Sequence, residues 1–139
     1  TSRTKLIAVI AFPFGFIPSS HKQAEAEWAI EQGAEELDLV PDFFALSEGK
    51  AEIFAMEIAS ICEKGIPVRV ILDMQSLGQE KISLAVEAAI DAGVHVVQAG
   101  NGFGRGVLTS DIEQLSKVTR GRCEIKAEGA IKTLHQAIN

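Results

Sequence analysis

The stretch "HVVQAGNGFGRG", residues 95–106, runs an apolar segment into a loop with glycine at 100, 102, 104 and 106. Glycine at that density lets a backbone turn sharply or come close to a ligand. Directly after it, "TSDIEQLSKVT" (109–119) has helical spacing, an N-cap candidate in Thr109 or Ser110, and acidic Asp111 and Glu113 in its first turn. Strand, glycine loop and helix make one β/α unit. The spacing is GxGxGxG, not the GxGxxG of a dinucleotide-binding turn. The polar residue at the strand's end is Gln98, so the question is what an amide does at the mouth of such a loop.

The same unit repeats on either side. Apolar runs of strand length occur at "LIAVIAF" (6–12), "ELDLV" (36–40), "VRVIL" (68–72), "VHVVQA" (94–99) and "CEIKA" (123–127). Such nearly continuous runs suit strands covered on both faces. Between them, "HKQAEAEWAIEQG" (21–33) places Ala24, Trp28 and Ala29 on one helical stripe and stops at Gly33. "AEIFAMEIASICEKG" (51–65) aligns Phe54, Ile58, Ile61 and Cys62, and "EKISLAVEAAIDAG" (80–93) aligns Ile82, Ala85, Val86 and Ala89. The predicted order is strand then helix five times over, an α/β chain with a parallel sheet and helical crossovers. Periodicity leaves an open doubly wound sheet and part of a closed barrel equally open. A complete eight-unit barrel takes about 250 residues, and this chain has 139. One domain over residues 1–139 is expected, with no internal linker or low-complexity stretch.

Composition narrows the function. With 47% hydrophobic and 23% charged residues the chain reads as globular with a buried core. A net charge of −6 and a pI near 5.0 argue against a nucleic-acid or anionic-membrane binder. An anionic ligand would need a local positive site. The apolar runs are too short to span a bilayer. No signal-peptide pattern is visible, and Thr1 in place of a methionine points to a start further upstream. Cys62 and Cys123 lack CxxC or Cys/His spacing and read as reduced thiols of a cytoplasmic protein. His21, His95 and His135 share no motif, so no metal site is expected.

Ligands of parallel α/β folds gather at the carboxyl ends of the strands. Those ends carry "AFPFG" after the first strand, Asp38 and Asp42 around the second, and Asp73 after the third. Gln98 and its loop follow the fourth, and Lys126, Glu128 and Gly129 close the fifth. Carboxylates, an amide and a lysine converging on one rim are a site signal.

These segments resemble, in order, the deoxyribose-phosphate aldolases. "VIAFPFG" (9–15) is similar to that family's third-strand motif, of Val-Ile-Gly-Phe-Pro-Phe-Gly type. "KQAEAEWAIEQGAEELDLV" (22–40) resembles its next helix and fourth strand, with Lys22, Glu25, Ala26, Gly33, Ala34, Glu36 and Asp38 in register. "VILDMQSLGQEKI" (70–82) looks like the fifth strand, where the family commonly has Glu at the position of Asp73. "VVQAGNGFGRGVLTSDI" (96–112) resembles the sixth strand and loop, and "IKAEGAIKTLHQA" (125–137) the seventh.

The resemblance implies TIM-barrel-type (β/α) units, strands three to seven of an aldolase barrel that is incomplete in this chain. It also implies a class I aldolase cleaving 2-deoxyribose 5-phosphate to acetaldehyde and glyceraldehyde 3-phosphate through a lysine Schiff base, without metal or organic cofactor. Carried over by position, Asp38 is the acid/base aspartate and Lys126 the second lysine, which tunes the first. Asp73, Asn101, Gly102, Gly129 and Ala130 fall at substrate-binding positions. The expected partner is a small phosphorylated sugar or aldehyde, with no nucleic acid and no membrane, in a cytoplasmic homo-oligomer.

Two departures stand out. Where the family's sixth strand has Lys-Thr-Ser-Thr-Gly-Phe, this chain reads "QAGNGF", so Gln98 occupies the Schiff-base position and Ala99, Gly100 and Asn101 replace the three hydroxyl residues. Nothing corresponds to strands one, two and eight, the last of which carries a Gly-Ser phosphate loop. An amide nitrogen has a delocalised lone pair and cannot attack a carbonyl. Lys126 is a poor substitute, because Asp38, Asp73 and Glu128 on the same predicted rim favour its ammonium form. Period-two alternation puts Glu124 and Arg122 on the face of Lys126, so a buried Glu124 is expected to pair with one of those cations. No imine is therefore expected, and a non-catalytic homologue binding a sugar phosphate or a protein partner is the alternative.

Blander readings accompany each residue. The glycine loop is also what a plain βα connection looks like. Asp38 suits a paired structural carboxylate, Asp73 a strand-end cap, and Lys126 a surface cation. Glu25, Glu27 and Glu31 read as solvated helix surface. Arg105 either meets a phosphate or stands idle.

Overall fold

The protein is described here by a computed structural model covering residues 5–11, 17–100 and 106–127. Its elements are β1 (Ile7–Ile10), α1 (Ser19–Glu31), β2 (Glu36–Leu39), α2 (Phe43–Ser47), α3 (Ala51–Cys62), β3 (Val68–Leu72), α4 (Gln79–Ala92), β4 (Val96–Ala99), α5 (Thr109–Thr119) and β5 (Glu124–Ala127). The expected helix after β5 lies outside the described residues.

The five strands are all parallel and lie in the order β1-β2-β3-β4-β5. A doubly wound sheet reverses its strand order at a switch point. Here every strand neighbours its predecessor, as in a barrel, which resolves the choice left open by periodicity. The fold is an arc of TIM-barrel-type units, an incomplete barrel.

Side chains alternate between the two faces of the arc. Leu37, Leu39, Val68, Val70, Leu72, Val97 and Ala99 are buried in one core with Ala26, Ala29, Phe54, Ile58, Ile61, Ile82, Ala85, Val86 and Ala89 of the helices. The helices thus cover one face. On the alternate positions stand Ile7, Val9, Glu36, Asp38, Arg69, Ile71, Val96, Gln98, Glu124 and Lys126, a mixed surface that carries the polar residues of the strands. The apolar runs predict strands covered on both faces; β2, β3 and β4 are buried on both, while β1 and β5 leave the second face exposed.

Local differences have local causes. In α1 the buried residues are Lys22, Ala26 and Ala29, while Ala24 is exposed and Trp28 is 65% exposed. Of the predicted stripe only Ala29 is buried; Lys22 goes inside with a counter-ion, which an apolar pattern does not reveal. In α3, Glu57 is buried and Cys62 only half-buried. The α4 stripe is the predicted one, and its helix stops at Gly93, whose φ of 100° is left-handed and suits glycine. The short α2 is unforeseen; Asp42 caps it by accepting from Phe44 N at 3.0 Å. The N-cap of α5 is Leu108, neither Thr109 nor Ser110, and its amide donates to Asp111 Oδ2 at 2.9 Å. That is the acidic half of a capping box.

Candidate active site

Asp38 on β2 and Arg69 on β3 are Cα partners in the sheet. Ile71, one side-chain step further along β3, partners Gln98 on β4, and Gln98 partners Lys126 on β5. Gln98 and Lys126 therefore sit about 7 Å nearer the carboxyl ends than Asp38, two residues of strand rise. Arg69 spans that step. Its Nη1 donates to Gln98 Oε1 at 3.0 Å, its Nε lies 3.3 Å from Asp38 Oδ1, and its Nη2 lies 3.8 Å from Glu36 Oε2. Asp38 and Gln98 are both buried, and the Arg69 side chain is nearly so. A carboxylate and a guanidinium so far from water require each other.

Gln98 is bonded at both ends. Besides accepting from Arg69, its Nε2 donates to Gly100 O at 3.1 Å. Gly100, with φ 85°, is the first residue after β4, and its amide is bonded to Leu72 O at 2.9 Å.

Lys126 is exposed on β5. The expectation that a buried Glu124 would pair with Lys126 or Arg122 is not met. Glu124 is exposed, and Arg122 reaches outward to Glu87, with Nη2 at 2.7 Å and Nη1 at 3.1 Å. The hydrogen bond from Arg122 holds the Glu87 carboxyl below its ordinary range. Sequence alternation places Glu124 correctly on the face of Lys126.

The carboxylates after the strands separate by role. Asp73 Oδ1 accepts from Ser76 N at 3.3 Å, the strand-end cap reading. Asp42 caps α2. Of the three helix glutamates, Glu25 is exposed yet accepts from the amide of Ala11, at 3.0 Å, and Glu27 pairs with Lys64 at 2.7 Å. Behind the sheet Lys22 and Glu57 form a buried pair at 2.8 Å. Asn101, Gly102, Arg105, Glu128, Gly129 and Ala130 lie outside the described residues.

Arg69 is the residue sequence reasoning overlooks. The signal is there: a lone charge in the otherwise apolar "VRVIL", two positions before Ile71 and so on the face of Gln98.

Both cysteines are free, and burial pushes the Cys62 thiol up to about 11 and raises that of Cys123. Among the described residues no group of His, Cys, Asp and Glu is placed to hold a metal ion. The cluster can bind a polar ligand and offer protons; position 98 offers no amine.

No family model matches the chain. It is 42% identical over 98% of its length to a deoxyribose-phosphate aldolase of Microcystis aeruginosa, spanning 61% of that relative. Over nearly its whole length the chain is similar to deoxyribose-phosphate aldolases. Solved aldolases carry the same arc: one called QR15 superposes with a TM-score of 0.86 at 31% identity, covering 91% of this chain and 59% of its own. The deoxyribose phosphate aldolase of Aeropyrum pernix, described as uniquely tetrameric, gives a TM-score of 0.78 at 29% identity over 88% of this chain and 53% of its own. This chain thus spans about three-fifths or less of these aldolases.

Proposed function

We propose that the polar face of this arc is an aldolase-family ligand site for a small phosphorylated sugar or aldehyde, 2-deoxyribose 5-phosphate first among them, in which imine formation at position 98 has been lost. The observation that carries this reading is the Gln98 amide, hydrogen-bonded at both ends beside Asp38 and Arg69. In the aldolase reaction a neutral amine attacks the carbonyl, water leaves, and the iminium withdraws the electrons of the bond to be cleaved. An amide can do none of this. What the face retains is a carboxylate in Asp38, a cation in Lys126 and hydrogen-bonding partners for a polar ligand. No metal or organic cofactor is called for.

Leu6 (49%), Val9 (46%) and Trp28 (65%) are exposed around β1, an apolar edge that a further strand of the barrel or a second copy would cover. A tetrameric relative supports a homo-oligomer. Free thiols, and the lack among the described residues of any helix long and apolar enough to cross a membrane, are compatible with a cytoplasmic site of action.

The test is binding and trapping side by side. Titration with 2-deoxyribose 5-phosphate is expected to shift the Gln98 side-chain amide in an NMR spectrum, while borohydride added to the same mixture leaves no reduced adduct. An adduct on Lys126 would overturn the loss of imine chemistry and restore an active carbon–carbon lyase. No shift at any residue of this face would overturn the site itself.

A further inference from the structure

We propose that Arg69 is a positioning residue of this site and that Gln98 is its hydrogen-bonding arm, holding the carboxyl end of β4 in place where the reactive amine is absent. The proposal rests on reading this face as a ligand site. It gives position 98 a task other than a failed nucleophile.

The guanidinium is planar and presents Nε, Nη1 and Nη2 in a fixed fork, so a single side chain can face Asp38, Gln98 and Glu36 at once. A lysine ammonium is a point charge on a flexible stem and cannot hold three such partners in one plane. Because a guanidinium only donates, Gln98 must turn Oε1 toward it, and Nε2 is left to face Gly100 O. Gln98 is 5% exposed, so neither end of its amide can fall back on water. An unmade bond there would carry the full desolvation penalty.

The chain of contacts therefore runs from Asp38 by an ion pair to Arg69, and by hydrogen bonds from Arg69 to Gln98 and from Gln98 to Gly100, whose amide is already fixed on Leu72 O. Both polar groups of Gly100 are committed at the point where β4 ends. Charge adds a second effect. Glu36 also pairs with Lys5 at 3.1 Å, so the guanidinium chiefly offsets Asp38, and without it that carboxylate would lose this counter-ion beside a phosphorylated ligand.

The experiment follows hydrogen exchange of the Gln98 side-chain amide by NMR, together with calorimetric titration of 2-deoxyribose 5-phosphate. The proteins are the wild type, Arg69→Met, Arg69→Lys, Gln98→Leu and the Arg69→Met/Gln98→Leu double variant. In the wild type the Gln98 amide is expected to exchange far more slowly than that of exposed Gln32. Arg69→Met should bring the two to similar rates, and Arg69→Lys, which keeps the charge and loses the fork, should not restore slow exchange. Affinity should fall about tenfold or more in Arg69→Met, the effect of losing a hydrogen bond to a charged group, and little further in the double variant. Unchanged Gln98 exchange in either Arg69 variant would overturn the proposal, and Arg69→Lys serves alone if Arg69→Met does not fold. Additive losses in the double variant would also overturn it, since Arg69 would then act on the ligand directly. A wild type with the expected exchange pattern and no ligand binding would leave the positioning role standing and refute the ligand-site reading.

Discussion

Lys22 Nζ lies 2.8 Å from Glu57 Oε1 in the interior, and the two side chains together hold the segment leaving β2. Lys22 also donates to Val40 O at 3.2 Å, while Glu57 accepts from Asp42 N at 3.1 Å and Ser19 Oγ at 2.5 Å. Removing one partner leaves a buried charge without its counter-ion. Lys22→Met is expected to destabilise the fold by about 3–5 kcal/mol, whereas Lys22→Met combined with Glu57→Leu should recover a large part of that loss. Urea unfolding of the three proteins checks it; a double variant no more stable than the single would refute the account.

Gln98→Lys puts an amine beside the Arg69 guanidinium, and a neighbouring cation lowers an amine's pKa and primes it for attack. The variant is expected to form an imine with acetaldehyde that borohydride traps at position 98, read as one added ethyl group on that peptide. Cleavage of 2-deoxyribose 5-phosphate should stay weak or absent, because Ala99, Gly100 and Asn101 remain in place of hydroxyl residues. Well-placed acid/base help is worth about 10² to 10⁴ in rate, so full turnover would mean that only the nucleophile had been lost. Failure to trap any adduct at 98 would show that the side chain does not address the ligand.

The Cys62 thiol, pushed up from 9.0 to about 11 by burial and then by Glu63, ties stability to alkaline pH. A folded-state value above the unfolded one means that the native protein holds its proton more tightly. The resulting stability is complete below pH 9 and drains away as pH rises toward 11. Denaturation midpoints taken across that interval should fall in the wild type and fall less in Cys62→Ala. Equal slopes in the two proteins would exclude Cys62 as the cause.

At the acid end the sign reverses. Glu87 is held below 4.5 by its hydrogen bond from Arg122, so its contribution is present above that value and is lost as pH drops through the lowered one. Arg122→Met should flatten the acid limb slightly, since exposed pairs contribute little. Acid titration of the melting temperature reads this, and an unchanged limb would mean the pair does not persist in solution.

Self-association through the β1 edge is testable with the chain's single tryptophan, Trp28. Diluting the wild type should red-shift its emission as the indole returns to water, and Val9→Lys should give the red-shifted spectrum at all concentrations. Concentration-independent emission together with a monomer in sedimentation would remove that edge as an interface.

How much of this was legible in the sequence depends on what each residue answers to. The α4 stripe from Ile82 to Ala89 was readable because nothing but apolar burial positions it. Asp38 and Gln98 were readable as neighbours on one face because strand alternation and family order agree. Trp28 was misread and Lys22 went unplaced, since an apolar pattern does not reveal a lysine taken inside by its counter-ion. Arg69 was missed because its partners come from other strands, and no local pattern announces a bond made across the sheet. Strand order, which separates barrel from doubly wound sheet, is likewise a property of pairing and not of period.

Ala11 closes β1 with φ at 61°, a left-handed conformation that its Cβ resists, and its amide is bound to Glu25. The family motif that "VIAFPFG" resembles has glycine at this place. A methyl group there costs on the order of 1–2 kcal/mol. The bend at the end of β1 is thus held on an alanine, with the Glu25 carboxylate fixing its amide. The first strand of the arc therefore ends on stored backbone strain, released if Ala11 is replaced by glycine.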